Sequence, residues 1–489
     1  MKIIERIDNV NKSVRINYIY NLIYQVVAII IPIITIPYIS RILGPENIGI
    51  YSFTLSISAY FILFGSLGIS LYGKREIACV QDDKKTYSKI FWELFFLKAI
   101  FMLISIIIFY FTFVTGNNDY NIFYKILILE LIGEIVDISW LFQGLEEFKK
   151  TVLRNLLVKT VSLICIFVFV KNSNDLFIYY LIYVLSILLG NLSLWLYLPK
   201  FLVKIKFKNI NIFRHLRETI IFFIPQVAIQ IYTVLDRTMI GYLIVDKSEV
   251  GFYTQGEKVI KLLLTIITAM GIVMLPRIAS KHSEGDTKTI KIYLNKSFNL
   301  VYFLAFPMIF GIISVTNAFV PIFFGKGYDE VIPVMNIISP ILLLIGMSNV
   351  IGVQYLLPTR HQKEYTLSVI IGAIVNFISN YFLIPKYGAC GAAAGTVIAE
   401  TVVTLSQIIF IRKQLDIKKI ILSAWQYLLA SFMMFPIIYV IGRHIDNNML
   451  SIVTQVILGG IIYVGILLLL KNKFILEYIN IFKKMIRRQ

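Results

Sequence analysis

The chain has 489 residues, 58% of them hydrophobic and only 15% charged, and its 47 Lys and Arg outnumber 28 Asp and Glu to give a net charge of +19. Soluble globular chains carry about 45–50% apolar and about 25% charged residues, so too little polar surface exists here to wrap one soluble core, and disordered, collagenous and disulfide-framework classes are excluded by the same balance. A basic chain this apolar points away from nucleic acid and toward a polytopic membrane protein with basic loops on one side.

The first sixteen residues are polar and basic, without a short apolar core and small-residue cleavage site, so no cleavable signal peptide is expected. Fourteen apolar stretches long enough to cross a bilayer follow, at about 20 residues each. They run over 18–40, 48–71, 88–114, 121–143, 152–170, 176–198, 218–243, 251–274, 296–316, 331–356, 364–384, 389–411, 421–441 and 450–470. Prolines 32, 37, 225, 307, 333 and 340 fall inside them, which membrane helices tolerate when neighbours satisfy the freed carbonyls. Cys79, Cys165 and Cys390 form no C-x-x-C, and their odd number argues against a disulfide framework.

The loops test this count independently. Alternate loops and both termini hold two to six Lys or Arg each, whereas the intervening loops hold one or none (Arg41, Lys171, Lys247, Lys326, Lys386 and Arg443). Basic residues stay on the cytoplasmic side. The expected fold is therefore all-α, with fourteen transmembrane helices and both termini cytoplasmic.

Residues 42–52 and 243–254 both place a G-x-Y after an acidic–polar pair, with Gly49 and Gly251 separated by 202 positions and six spans. An even number of spans preserves orientation, so the halves are expected to be parallel repeats. The expected organisation is an N-lobe over 1–200, a C-lobe over 201–415, and two further helices with a basic tail over 416–489. That tail alternates apolar and basic residues, as an amphipathic helix on an anionic leaflet would.

Four stretches resemble a family. Pro37–Gly49 is similar to the first outer loop of bacterial polysaccharide flippases of the Wzx type, and Trp140–Lys149 to the end of their fourth helix. Leu235–Gly241 is similar to their seventh helix, and Ile384–Gly388 with Gly391–Ala393 to their eleventh-to-twelfth hairpin. The resemblance implies the multidrug/oligosaccharidyl-lipid/polysaccharide exporter fold. It also implies transport of undecaprenyl-pyrophosphate-linked glycan units across the bacterial inner membrane, beside polymerase and glycosyltransferase partners of one pathway. The two lobes would rock about a central cavity in alternating access.

Charges inside spans then acquire candidate roles. A bare charge at mid-bilayer costs about 2.5–3.5 kcal/mol, so Lys98, Lys125, Lys159, Arg237, Lys258 and Lys261 must pair, snorkel or face a wet cavity. Arg binds phosphate through two donors and Lys as a point charge. Arg237 is the first candidate for pyrophosphate, its alternative being an ion pair involving the adjacent Asp236. Arg41 is either a release contact at the outer mouth or an interfacial anchor. Lys98 and Lys159 lie too deep to snorkel easily, whereas Lys125 is near the outer end of its span and snorkels. Glu257 and Lys261 are spaced for a pair within one helix, and Lys258 with Lys261 could instead form a cationic patch.

Glu130, Glu134 and Asp137 fall at i, i+4 and i+7, on one face of the fourth span. They could carry a coupling Na+ or H+, as could Asp236 and Glu400, or they could form an ion-pair network with Lys98 or Lys159. No cofactor is expected: the chain has no P-loop, and none of His215, His282, His361 or His444 sits at metal spacing. A polymerase or ligase would need a large outer loop, and all outer loops are short. A lipid II flippase and a drug–cation antiporter remain alternatives, although the antiporter's cavity should be acidic rather than basic.

Overall fold

The computed structural model describes residues 2–116, 119–206, 210–477 and 479, with side chains from Val27 onward except positions 28, 29, 148, 225, 228, 229, 231, 232 and 272. Among the described residues the chain is predominantly helical and holds no strand. The helices are α1 (Lys2–Ser66), α2 (Ile69–Cys79), α3 (Lys84–Phe109), α4 (Asn121–Ile135), α5 (Ser139–Gly144), α6 (Phe148–Phe169), α7 (Leu176–Trp195), α8 (Leu198–Phe201) and α9 (Leu216–Leu243). There follow α10 (Ser248–Ser283), α11 (Thr287–Phe323), α12 (Val331–Ile338), α13 (Ile341–Ser348), α14 (Gln362–Ile411), α15 (Ile417–Ser423), α16 (Trp425–Arg443) and α17 (Asn448–Leu469). They form two compact units, Met1–Thr238 and Met239–Gln489.

Ten segments of the described residues are long and apolar enough to cross a membrane, against the fourteen read from the sequence. Two of the ten are folded back or bent at a glycine. α1 breaks at Gly44 (φ 77, ψ 170), and α14 breaks at Gly388 (φ 54, ψ −129). Both conformations crowd a Cβ, so only glycine takes them without strain. The 15 residues of α4 span about 22 Å at 1.5 Å each, short of a hydrocarbon core of about 30 Å.

The reason α4 is short lies in the turn that ends it. The apolar run of the fourth span continues to 143, but α4 stops at Ile135 and α5 restarts at Ser139. Asp137 holds that restart: its carboxylate accepts the Ser139 amide at 3.0 Å and the Ser139 hydroxyl at 3.1 Å. Asp137 therefore stands in a turn, not on the α4 face with Glu130 and Glu134, which corrects the i, i+4, i+7 expectation. The carbonyl of Val136, freed by the break, accepts from the Trp195 indole at 2.8 Å, as a buried carbonyl must find a donor.

In the first unit α4 packs along α7, while α1 lies against α3, α4 and α6. One apolar core gathers Phe91, Leu94, Trp140, Phe142 and Leu194 from α3, α5 and α7. α6 shows its opposite face: Leu153, Leu157, Val161, Ile164 and Val168 are exposed. Their spacing of three and four makes one stripe, suited to hydrocarbon rather than water. In the second unit α11 packs against α16 and α17, and α10 against α11 to α14. Small residues let the two arms of α14 approach: Gly391, Ala392, Ala393, Gly395 and Ala399 are buried, and a Cβ on Gly372 would collide with Val403.

Candidate functional site

The first unit encloses a cavity of about 430 Å³ between α1, α6 and α7. Two cations from α6 line it, Arg154 and Lys159, with the hydroxyls of Tyr179 and Tyr183 and the amide of Asn191 from α7 opposite. These residues reach one space for a helical reason. On α6, Arg154, Val158 and Ser162 rise in steps of four, as do Asn155 and Lys159, so both rows face away from the exposed Leu153–Val168 stripe.

The cavity wall is anchored in depth. Arg154 Nη1 donates to Asn191 Oδ1 at 2.5 Å, and Asn191 Nδ2 donates to the Gly133 carbonyl at 2.8 Å. Arg154 is thus oriented through α7 onto α4. Gly190 permits the approach, because a Cβ there would stand 2.9 Å from Val158. Behind Tyr183 lies Glu130. The Tyr183 hydroxyl donates to its Oε1 at 2.9 Å and the Ser58 hydroxyl to its Oε2 at 2.8 Å. Tyr51 packs on Tyr179, Tyr180 and Tyr183 with ring centroids 4.7, 5.0 and 5.7 Å away, and Tyr180 shares a hydrogen bond with Thr54. Guanidinium, ammonium, phenol and amide together suit an anionic, hydroxyl-rich ligand.

Among the expected residues, Lys159 lines this cavity. Lys98 does not. It is fully buried and gives its ammonium to Glu134 at 2.8 Å and to the Asp137 carbonyl at 3.3 Å. Arg41 is exposed close to the Gly44 break, and Lys125 is exposed on α4. Arg237 is half-buried on α9 and Asp236 beside it is buried. In the second unit Glu257 is buried and pairs with Lys261 at 2.5 Å, Lys258 is half-buried, and Glu400 is buried on α14.

Arg154 was not among the expected residues. With Lys149 and Lys150 it reads as a loop charge, yet α6 begins at Phe148, so Arg154 lies nearly two turns inside a helix. Its spacing of five from Lys159, two cations inside one apolar run, was the available signal. Tyr183, Ser58 and Asn191 carried none, because each acts on a partner far away in the chain.

A second charged cluster joins α2, α3 and the turn Ile212–His215 in the same unit. The buried Glu93 carboxylate receives Arg214 at 2.8 Å and the Asn211 amide at 2.9 Å. His215 Nδ1 lies 2.8 Å from the Tyr72 hydroxyl, and its Nε2 lies 3.1 Å from both Arg214 Nε and Glu93 Oε2. Burial, with Arg214 adding to it and Glu93 opposing it, holds the His215 imidazole below its ordinary value. Arg214 and, at 3.8 Å, Lys89 therefore supply the positive charge facing Glu93, and burial disfavours a charge on the histidine.

Residues 14–282, more than half of the chain, match the family model described as polysaccharide biosynthesis protein. The chain belongs to that family. Residues 152–462 also match the model described as lipid II flippase MurJ. A protein of Escherichia coli (strain K12) provisionally named an O-antigen transporter is 28% identical over 83% of this chain and 98% of its own length. The capsular polysaccharide biosynthesis protein CapF of Staphylococcus aureus is 22% identical over 81% of this chain and 99% of its own. Among solved structures, lipid II flippase MurJ in an inward closed conformation superposes with a TM-score of 0.73, covering 94% of this chain and all of that one at 16% identity. An inward-facing multidrug resistance transporter of the MATE family and MOP superfamily gives 0.64 over 80% of this chain and 95% of that one at 12% identity. At those identities the likeness is one of fold. This member of the polysaccharide biosynthesis family is a multi-pass helical membrane protein, as the residues of Pro37–Gly49 and the later stretches implied. Several of its relatives carry the name of a transporter or a flippase, and none of those described above is named as a catalyst.

Proposed function

We propose that this chain is a flippase carrying undecaprenyl-pyrophosphate-linked oligosaccharide units from the cytoplasmic to the outer leaflet of the bacterial inner membrane by alternating access. The reading is carried by the alignment that spans 98% of the E. coli O-antigen transporter. The Arg154–Lys159 cavity supports it chemically. Its two cations suit phosphate and its phenols and amides suit sugar hydroxyls, whereas a site for organic cations should present carboxylates.

The topology we propose has fourteen crossings and cytoplasmic termini, counting two arms each around Gly44 and Gly388 and adding α4 together with α5, and α9. Lobes over 1–200 and 201–415 and a further helix pair over 416–489 would be its parts. Beyond the cavity, Arg237, Arg41, Lys258 and Lys261 would receive the pyrophosphate along its path. Lys98 would serve chiefly as the partner of Glu134. Glu130, held by two hydroxyls, is the first candidate to carry a coupling H+ or Na+, with Asp236 and Glu400 next and Glu134 and Asp137 behind them. Polymerase and glycosyltransferases of one pathway would be its functional partners.

A lipid II flippase is the second reading, favoured by the MurJ model match over 152–462. Proteoliposomes separate the two. Loaded on one leaflet with a labelled lipid-linked repeat unit, they should expose it to an external lectin only when the protein is present. Exposure of lipid II but not of the repeat unit would give the second reading; movement of neither, with exchange of organic cations instead, would make the chain an antiporter.

A further inference from the structure

The second unit holds another cavity, about 440 Å³, where α11 and α16 meet the segment following α17. Its charge is one-sided. Lys296, Lys471 and Lys473 stand around it against the single carboxylate of Glu477, which pairs with Lys296 at 2.7 Å. The floor is polar and built. Buried Asn472 donates to Gln426 Oε1 at 2.7 Å and accepts the Phe474 amide at 3.1 Å, and the Tyr427 hydroxyl donates to Asn299 Oδ1 at 3.0 Å. Trp425, half-exposed, stands at the rim.

From this rim an apolar row descends along α16: Leu428, Leu429, Phe432 and Met433 are all exposed. A lysine-ringed polar cup, an exposed tryptophan and an uncovered apolar row have the order of a lipid's parts: headgroup, glycerol region, acyl chains. Tryptophan prefers that middle depth, and basic pockets between transmembrane helices bind anionic headgroups. We infer that this cavity is a binding site for the phosphodiester headgroup of an anionic phospholipid of the cytoplasmic leaflet, with its acyl chains along α16. The leaflet rests on the topology proposed above; the headgroup chemistry does not. A cup of this volume takes a glycerophosphate headgroup but leaves little room for a pyrophosphate that carries an oligosaccharide.

The test is native mass spectrometry of the full chain released from nanodiscs of phosphatidylcholine with phosphatidylglycerol. Wild type should retain phosphatidylglycerol preferentially. The triple variant Lys296→Ala, Lys471→Ala, Lys473→Ala should lose that preference by roughly 100-fold, from about fivefold per interfacial lysine. The corresponding Lys→Arg triple should keep it, and so should a triple Lys→Ala variant at Lys171, Lys326 and Lys386, which removes the same charge elsewhere. Should the alanine triple misfold, quenching of a single-tryptophan protein retaining Trp425 by brominated phosphatidylglycerol, but not by brominated phosphatidylcholine, reads the same site. Equal retention in wild type and the alanine triple, or equal quenching by both lipids, would overturn the inference. So would displacement of phosphatidylglycerol by a prenyl pyrophosphate added at equal amount. Because lipid retention is read without transport, it stands or falls separately from the flippase reading.

Discussion

The Glu249 carboxylate accepts the backbone amide of Ala389 at 2.6 Å, fastening α10 to the break in α14. The counterpart 202 residues earlier is Asn47, whose side chain donates to the Ser173 carbonyl at 2.9 Å and so fastens α1 to the turn between α6 and α7. Each unit thus ties the residue two positions before its motif glycine to a turn or break later in the unit, with an anion toward an amide in one and an amide toward a carbonyl in the other. Gly49 and Gly251, 202 positions apart, thus each follow by two residues a fastening side chain, and the chemistry of the two fastenings differs.

This contact predicts an unusual intolerance at Gly388. A Cβ there would fall onto the Glu249 carboxylate, and the backbone (φ 54, ψ −129) is strained for any residue with a side chain. Gly388→Ala should destabilise the solubilised protein by about 1–3 kcal/mol. Glu249→Gln, which keeps an acceptor, should cost less than Glu249→Ala. Thermal melting in detergent checks both, and a Gly388→Ala protein as stable as wild type would remove the strain argument.

The Lys98–Glu134 pair predicts a compensating double variant. Lys98 is fully buried, so Glu134→Gln leaves an ammonium without counter-charge. Losing one partner of a buried pair costs about 3–5 kcal/mol, with the lower figure apt because the Glu134 side chain is 22% exposed. Lys98→Met with Glu134→Gln removes both charges and should recover most of the loss. If the double variant melts no higher than Glu134→Gln alone, the ion pair is not what that helix contact requires.

Arg154 and Lys159 predict a transport defect without loss of protein. A hydrogen bond to a charged group contributes about 1.5–3 kcal/mol, so Arg154→Ala should slow lectin-detected translocation roughly 10- to 100-fold while membrane abundance is kept. Asn191→Ala should give a milder loss, because it orients the guanidinium without replacing it. Lys159→Arg should retain activity and Lys159→Glu abolish it. Full activity in Arg154→Ala would take the cavity of the first unit off the substrate's path.

How much of this was legible in the sequence follows the physics of each signal. Hydropathy disclosed a helical chain with long apolar segments, because that signal is local and sums over about 20 residues. It did not disclose the end of α4. An apolar run looks the same whether a helix continues through it or breaks, and what breaks it is the Asp137 side chain closing on Ser139. Spacing along one helix gave Glu257 with Lys261 correctly. It named Lys98 as one of two partners for the α4 carboxylates, and only packing showed that Lys98 meets Glu134. Glu130 bonds to Ser58 and Tyr183, which lie 72 and 53 residues away, and no periodicity reaches that far.

The His215 cluster predicts a pH dependence whose sign follows from burial. The folded imidazole binds its proton more weakly than an unfolded one, whose ordinary value is about 6.5. Between the two values the unfolded chain holds more protons, so stability rises with pH there. The contribution is complete above about pH 6.5 and is lost as pH falls through the folded value. A proton on Nε2 would face Arg214 Nε and Glu93 Oε2, each 3.1 Å away, so the cost of charging the ring comes first from its burial and then from Arg214. Melting temperature should therefore drop as pH is lowered from 7 toward 5. The drop should be smaller in His215→Gln, which carries no titrating proton yet can still bond to Tyr72. Arg214→Ala should invert the trend locally, because Glu93 would then welcome a charged histidine as its remaining close partner in the turn. If His215→Gln and wild type lose stability in parallel over that range, the titrating group lies elsewhere.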